Sequence, residues 1–287
     1  MKLMMFSKHL GSLSVADAGL EIKNLGFEGV DLTVRPGGHV NPEKVISELP
    51  LAVDSLKELG LEVPLITTNV TAADEQYATD VFDTAATLGI NELKLGYWPY
   101  PGFGTIHATL KEVSKKLDGI EALATTTGVR ANVHIHSNTV ISALAPFVWE
   151  LIRDRDPAAV GAYVDPGHMA VEGGVEGWRM GLDLLSHRTT MVAVKDMAWE
   201  QIEDQTLGKS RWVTKLVPLN RGVVPWPEVF SCLNQAGFNG WFSVHSEYQG
   251  GHSWRDLTLT DLLAQTHQDL EYLRWASEAG VEKLTQQ

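Results

Sequence analysis

Four short stretches carry side chains able to hold a metal, move a proton or grip a polyhydroxyl ligand. "NVHIH" sets His134 and His136 two residues apart, and "FSVHSEYQGG" does the same with His245 and Glu247. Residues two apart on a β-strand point the same way, so each pair shares a face. "VDPGH" ends an apolar run at Asp165 and returns His168, and "VAVKD" ends on Lys195 and Asp196. Left unsatisfied in a low-dielectric site, such groups would cost on the order of several kcal/mol each. A divalent metal or a polyhydroxyl substrate would satisfy them. Two residues along a strand separate backbones by about 6.6 Å. With that spacing His245 could position a metal or substrate while Glu247 moves a proton at the adjacent carbon.

Each group also has a plainer reading. A lone strand histidine is more often a satisfied core or rim residue than a ligand. Lys195 beside Asp196, or against Glu247, could be a rim ion pair worth under about 1 kcal/mol. His168 could cap the helix that follows it. Four consecutive strands each delivering such a group at the same end favours a site.

The elements that must position these residues alternate along the whole chain. Strand candidates are Lys2–Ser7, Gly29–Val34, Leu61–Thr67, Glu92–Tyr97, Arg130–His136, Val160–Asp165, Met191–Asp196 and Trp241–Glu247. Between them lie amphipathic stretches such as "NPEKVISELPLAVDSLKELG" and "ATLKEVSKKLDGIEALATTTG", apolar at three- and four-residue spacing and closed by glycine. Strand–helix repeats of this kind predict right-handed βαβ units and a parallel sheet. Eight of them fit a closed (β/α)8 barrel, which takes about 250 residues, and predict one domain over residues 1–287. No Gly-x-Gly-x-x-Gly turn follows the first strand, against a dinucleotide-binding sheet. In a barrel, polar residues at strand C-termini line the mouth where active sites sit. Further mouth candidates are Lys8 and His9, Arg35 and His39, Thr67 to Asn69, and Tyr97 with Trp98. "PLNRG" and "YQGGHSW" read as lid loops with glycine hinges.

Composition narrows the partners. The 287 residues are 44% hydrophobic and 21% charged, an ordinary globular mixture. A net charge of −13 opposes nucleic acid and anionic membrane surfaces, both of which need clustered Lys and Arg. The single cysteine, Cys232, excludes an internal disulfide and lies in a helix-like run where packing is the expected role. There is no apolar run near the roughly 18 residues of a membrane span, and "MKLMMFSKHLG" is too short in apolar core for a secretory signal. The expectation is a cytoplasmic protein with a small carbohydrate ligand; the sequence leaves homo-oligomerisation open.

The same residues resemble the sugar phosphate isomerase/epimerase family, with its xylose isomerase-like TIM barrel. The resemblance runs from "FSKHL" through "LGFEGVDLTVRPGGHVNPE", "LGI", "VDPGHMAVEGG" and "VAVKDMAW" to "FNGWFSVHSEY". It implies one divalent ion and proton transfer beside a ketose carbonyl. Asp165 matches the family's strand-six metal aspartate, and His168 the histidine after it, which contacts substrate. The strand-five glutamate position falls on His134 and its trailing histidine on His136. The strand-seven histidine falls on Ala193, and the strand-eight glutamate on His245, leaving Glu247 nearer the mouth. The resemblance thus implies a metal site of His134, Asp165 and His245, suited to Zn, Mn or Fe. Glu247 would be the base, Lys195 and His168 its catalytic partners, and His136, Lys8, Arg35 and Trp98 substrate contacts. The expected function is a metal-dependent isomerase or epimerase of a sugar-like α-hydroxy carbonyl compound. The alternatives are a lyase acting on a 3-keto sugar by the same enediolate chemistry, and a non-catalytic carbohydrate-binding barrel that has lost part of its metal site.

Overall fold

A computed structural model describes residues 1–206 and 208–285. All eight expected strands form and close into one parallel barrel: β1 (Lys2–Phe6), β2 (Gly29–Thr33), β3 (Glu62–Thr67), β4 (Glu92–Lys94), β5 (Arg130–His134), β6 (Val160–Val164), β7 (Thr189–Val194) and β10 (Trp241–Val244). Closure is made by β1 against β10, in register from Lys2 opposite Trp241 to Met5 opposite Val244.

The strands are buried on both faces, which is why they read as nearly unbroken apolar runs. Outward residues such as Leu3, Val30, Val133 and Val192 pack under the helices in the main core. Inward residues Met4, Leu65, Tyr163, Met191, Ala193 and Trp241 fill the barrel. The outer layer is α1 (Val15–Asn24), α2 (Val45–Glu58), α3 (Ala78–Thr87), α4 (Ile106–Thr127), α5 (Ala145–Ile152), α6 (Pro166–Leu185), α7 (Trp226–Gln235) and α8 (Leu259–Thr285). No helix among the described residues is long and apolar enough to cross a membrane.

Most strands end sooner than sequence alone suggests. The ladder carries one residue past several of them, as in Ile135 N–H to the Tyr163 carbonyl and His245 N–H to the Val194 carbonyl, and then stops. His136, Asp165, Lys195 and Glu247 therefore sit on the first loop residues above the barrel rather than on strands.

One element has no counterpart in the sequence reading. β8 (Asp196–Asp204) and β9 (Lys209–Val217) form an antiparallel hairpin outside the barrel, in register from Asp196 opposite Val217 to Asp204 opposite Lys209. Its charged, weakly alternating residues hide it from pattern reading. Met197 and Leu216 root one face against Val171, while Trp199 and Trp212 on that same face stay exposed.

The two expected lids are instead pinned. Tyr248 is buried and donates its hydroxyl to Asp269 of α8, and Trp254 N–H bonds the Leu216 carbonyl. A Cβ on Gly222 would lie 1.8 Å from the Asp196 carboxylate, so that glycine permits a close approach rather than a hinge. Asp196 takes N–H bonds from Met197, Val224 and the Trp226 indole, and turns away from the mouth that Lys195 enters.

Candidate active site

The mouth holds a cavity of about 150 Å³ lined by Phe6, Lys8, Arg35, Thr67, Lys94, Tyr97, His134, His136, Tyr163, Lys195, His245 and Glu247. Larger surface hollows lie elsewhere, the two biggest of them at the strand N-termini near Glu92 and Arg130 and between α6 and α7. Neither holds the residues expected to do chemistry, and TIM barrels work from the other end.

Asp165 is the hub. It caps α6, its Oδ1 accepting the His168 N–H at 3.0 Å, with Pro166 at the first helical position. A Cβ on Gly167 would come within 2.7 Å of the Lys195 carbonyl, so the Pro-Gly pair lets α6 start against the end of β7. His168 is thus the residue whose N–H is capped, not the cap. Around Asp165 Oδ2 gather Lys195 Nζ at 3.2 Å, His134 Nε2 at 3.4 Å and His168 Nε2 at 3.7 Å.

Lys195 Nζ also lies 3.2 Å from Glu247 Oε2, so one buried ammonium bridges two buried carboxylates. Glu247 Oε1 bonds Lys8 as well, with His9 at 3.8 Å. The Lys195–Glu247 pair foreseen as a rim contact is therefore real but enclosed. Burial would push Glu247 up, yet Lys195 and then His9 and Lys8 hold it well below the usual carboxylate range. Burial likewise works against charged Lys195, but Asp165 and Glu247 raise it.

The histidines are buried and neutral. Burial, then nearby lysines, holds His134, His168 and His245 well below their ordinary value, and takes His136 down to about 4. The Tyr97 hydroxyl is 2.8 Å from His134 Nδ1, and burial keeps that phenol protonated. It therefore donates to Nδ1, and the proton of His134 sits on Nε2, facing Asp165. The Ser137 hydroxyl lies 2.7 Å from His168 Nδ1, and His136 Nδ1 donates to the Ser137 carbonyl at 2.8 Å. Among the described residues His134 Nε2 and His168 Nε2 have no hydrogen-bond partner, and Asp165 Oδ2 has only its ion pair with Lys195.

The metal set implied by resemblance is not assembled. His245 Nε2 bonds the Tyr163 hydroxyl at 2.9 Å, with Asp31 3.9 Å away, and it is not among the groups within 4 Å of Asp165. Among the described residues no group of three or more His, Cys, Asp or Glu could hold an ion. Lys195 adds to this: its ammonium, 3.2 Å from both Asp165 and Glu247, would repel a divalent cation placed between those carboxylates. The donor set does not fit a metal.

Other expected contacts divide. Lys8, Arg35 and His136 line the cavity, but Trp98 does not: it is buried in the helix-side core with its indole N–H on the Thr71 carbonyl at 3.0 Å. Its neighbour Tyr97 takes the place at the mouth. Sequence reading missed Lys94, Tyr163 and Asp31. Parity could have found the last two, since inward positions on β2 and β6 are meant to be apolar. Asp31 is fully buried and accepts from Thr67 at 2.6 Å, Ser243 at 2.9 Å and Tyr163 at 3.3 Å; burial outweighs these bonds and raises it to about 6.

The family profile described as xylose isomerase-like TIM barrel matches residues 20–274. No protein of curated function matches the chain in sequence. Among solved structures it is similar to an L-ribulose 3-epimerase at TM-score 0.73 and 16% identity, covering 99% of this chain and 97% of that one. A probable 3-DHS dehydratase of petrobactin synthesis from Bacillus anthracis follows at 0.69 and 16%, covering 94% and 99%. A xylose isomerase-like barrel protein from Mycobacterium smegmatis, solved with magnesium, stands at 0.65 and 15%, covering 97% of each. With a profile matched over most of its length and a closed parallel barrel to carry it, this chain belongs to the xylose isomerase-like TIM barrel family.

Proposed function

We propose that the chain is an isomerase or epimerase of a small keto sugar, moving a proton at the carbon beside the carbonyl. The observation that carries this is the Lys195 ammonium, 3.2 Å from both Asp165 and Glu247 at the wall of a buried cavity. An ammonium fixed there polarises a substrate carbonyl and stabilises the enediolate that forms when the neighbouring proton leaves. Glu247 takes that proton. In an isomerisation it returns the proton to the adjoining carbon while the hydroxyl proton passes between the two oxygens beside Lys195. In an epimerisation the same carbon is reprotonated from water on its other face. The depressed basicity of Glu247 is a handicap in the empty site, but a carbonyl oxygen that claims one Lys195 N–H weakens the hold on Glu247 and returns basicity when the substrate is in place. His134 and His136, neutral and at the cavity wall, receive the sugar hydroxyls.

The relatives support the class of chemistry, since an epimerase and a dehydratase share this fold. Elimination of a hydroxyl from the same enediolate is the second reading, favoured by the His134 N–H beside Asp165, which can hydrogen-bond a leaving oxygen while Glu247 hands it the proton taken in the first step. Because Lys195 holds the cation position, activity is expected without added metal.

The test is exchange of solvent deuterium into a panel of ketoses and 3-keto sugars, followed by proton NMR in the presence of a chelator. Exchange is expected, and Glu247→Gln should slow it by about two orders of magnitude while substrate binding stays largely intact. Loss of one product hydroxyl would select the lyase reading. If a ligand binds and neither exchange nor elimination occurs, the barrel is a carbohydrate-binding protein. If Glu247→Gln exchanges at the wild-type rate, the base lies among His136, His168 and Lys195.

A further inference from the structure

The charges of the mouth do not balance across it. Four cations line the cavity, Lys8, Arg35, Lys94 and Lys195, in a chain whose overall charge is −13. Lys8 and Lys195 are matched to Glu247 and Asp165. Arg35 and Lys94, arriving from the ends of β2 and β4, have no carboxylate within 4 Å and no side-chain hydrogen bond among the described residues. What they do touch is aromatic: the Arg35 guanidinium lies 5.7 Å from the Phe6 ring centre and Lys94 Nζ 3.7 Å from that of Tyr97. Lys94 is 3% exposed. An unpaired ammonium so enclosed is costly, and a second cation beside it adds repulsion. Burial, then Arg35, accordingly pushes Lys94 well below the ordinary lysine value.

We propose that the substrate is a sugar acid, whose carboxylate lies between Arg35 and Lys94 while its carbonyl reaches Lys195 across the cavity. Aromatic faces leave the N–H donors of both cations free, and a planar carboxylate takes two parallel bonds from a guanidinium edge. The volume argues for a carboxylate over a phosphate ester: about 150 Å³ is roughly five times one water's share of the liquid, room for a single small sugar acid with no phosphoryl group beyond it. The placement also gives the reaction its register, because one anchored end fixes which carbon meets Glu247.

This rests on reading the mouth as a carbonyl-sugar site, so its test is equilibrium binding, which reads no chemistry; the exchange experiment tests the reaction separately. Three ligands differing only at the sixth carbon serve as probes: D-fructose, D-fructuronate and D-fructose 6-phosphate, titrated calorimetrically into the full-length protein. The expected order puts fructuronate tightest, about tenfold or more over fructose. Arg35→Met should erase that preference by weakening fructuronate far more than fructose, and Arg35→Lys should restore part of it. Lys94→Met, of similar length and uncharged, should act in the same direction, with circular dichroism confirming the fold. Fructose binding as tightly as fructuronate, a preference for the phosphate ester, or an acid preference that survives both Arg35→Met and Lys94→Met would overturn the proposal. So would covalent capture of fructose on Lys94 by borohydride, which would make that lysine an imine-forming nucleophile.

Discussion

The two sides of the barrel mouth hold the same kind of residue in opposite electrostatic states. On the β6–β7–β10 side, Lys195 is buried between Asp165 and Glu247 and stays charged. On the β2–β4 side, Lys94 is equally buried and lies against Tyr97 with no carboxylate within 4 Å among the described residues. Burial and then Arg35 outweigh the more distant Asp31 and Glu247 and lower its pKa. Burial is common to both, so partners decide the outcome. The carboxylates repeat the lesson. Glu247, ringed by cations, is held ionised, while Asp31, which only hydroxyls reach closely, rises to about 6. A finished ion-pair cluster is suited to chemistry, and an unfinished one to capturing an ion from outside.

The largest expected effect falls on the finished side. Lys195→Met strands two buried carboxylates and should lower unfolding stability by about 3–5 kcal/mol in urea titrations at pH 7; a loss under about 1 kcal/mol would mean the pair is not enclosed. Shortening the side chain instead, Lys195→Ala vacates the cation position beside Asp165, Glu247, His134 and His168. That variant should gain Mn uptake that the wild type lacks, measured by metal analysis after dialysis, with wild-type occupancy under about a tenth of an equivalent.

Next comes the pH response of the two carboxylates. Asp31 has a folded value of about 6 against an ordinary 3.8, so its contribution is full below about pH 4 and is lost as pH climbs to about 6, by up to about 3 kcal/mol. Glu247 is depressed, so its contribution is present above its unfolded value and lost as pH falls through the folded one. Relative to wild type, the melting temperature of Asp31→Asn should therefore rise between pH 4 and pH 6.5, and that of Glu247→Gln should fall. A parallel response of the two would erase the distinction. The smallest effect belongs to the unfinished side: Lys94→Met, removing a charge without a partner, should cost nothing and gain up to about 1–2 kcal/mol in the ligand-free protein. A substantial loss there would mean Lys94 has found a partner in solution.

What could be read in advance followed from periodicity. Short apolar runs alternating with amphipathic segments can bury both faces of a strand only in a helix-wrapped parallel sheet, so the chain pattern by itself determined the barrel, its eight strands and the rim positions of Asp165, His168, Lys195 and Glu247. The hairpin at 196–217 escaped because its stabilisation is cross-strand pairing rather than a buried face. Of the mouth candidates Tyr97 and Trp98 only Tyr97 faces the cavity, since adjacent residues past a strand end point to different sides. His245 and Glu247 do both face inward, yet His245 is bound to Tyr163 while Glu247 reaches Lys195. Only the tertiary structure decided which charge met which, because residues from separate strands come together at the mouth through barrel closure and stagger, and side-chain reach there exceeds anything spacing encodes. Lys195 between Asp165 and Glu247, and Lys94 against Tyr97 beyond ion-pair reach of any carboxylate among the described residues, come from that convergence.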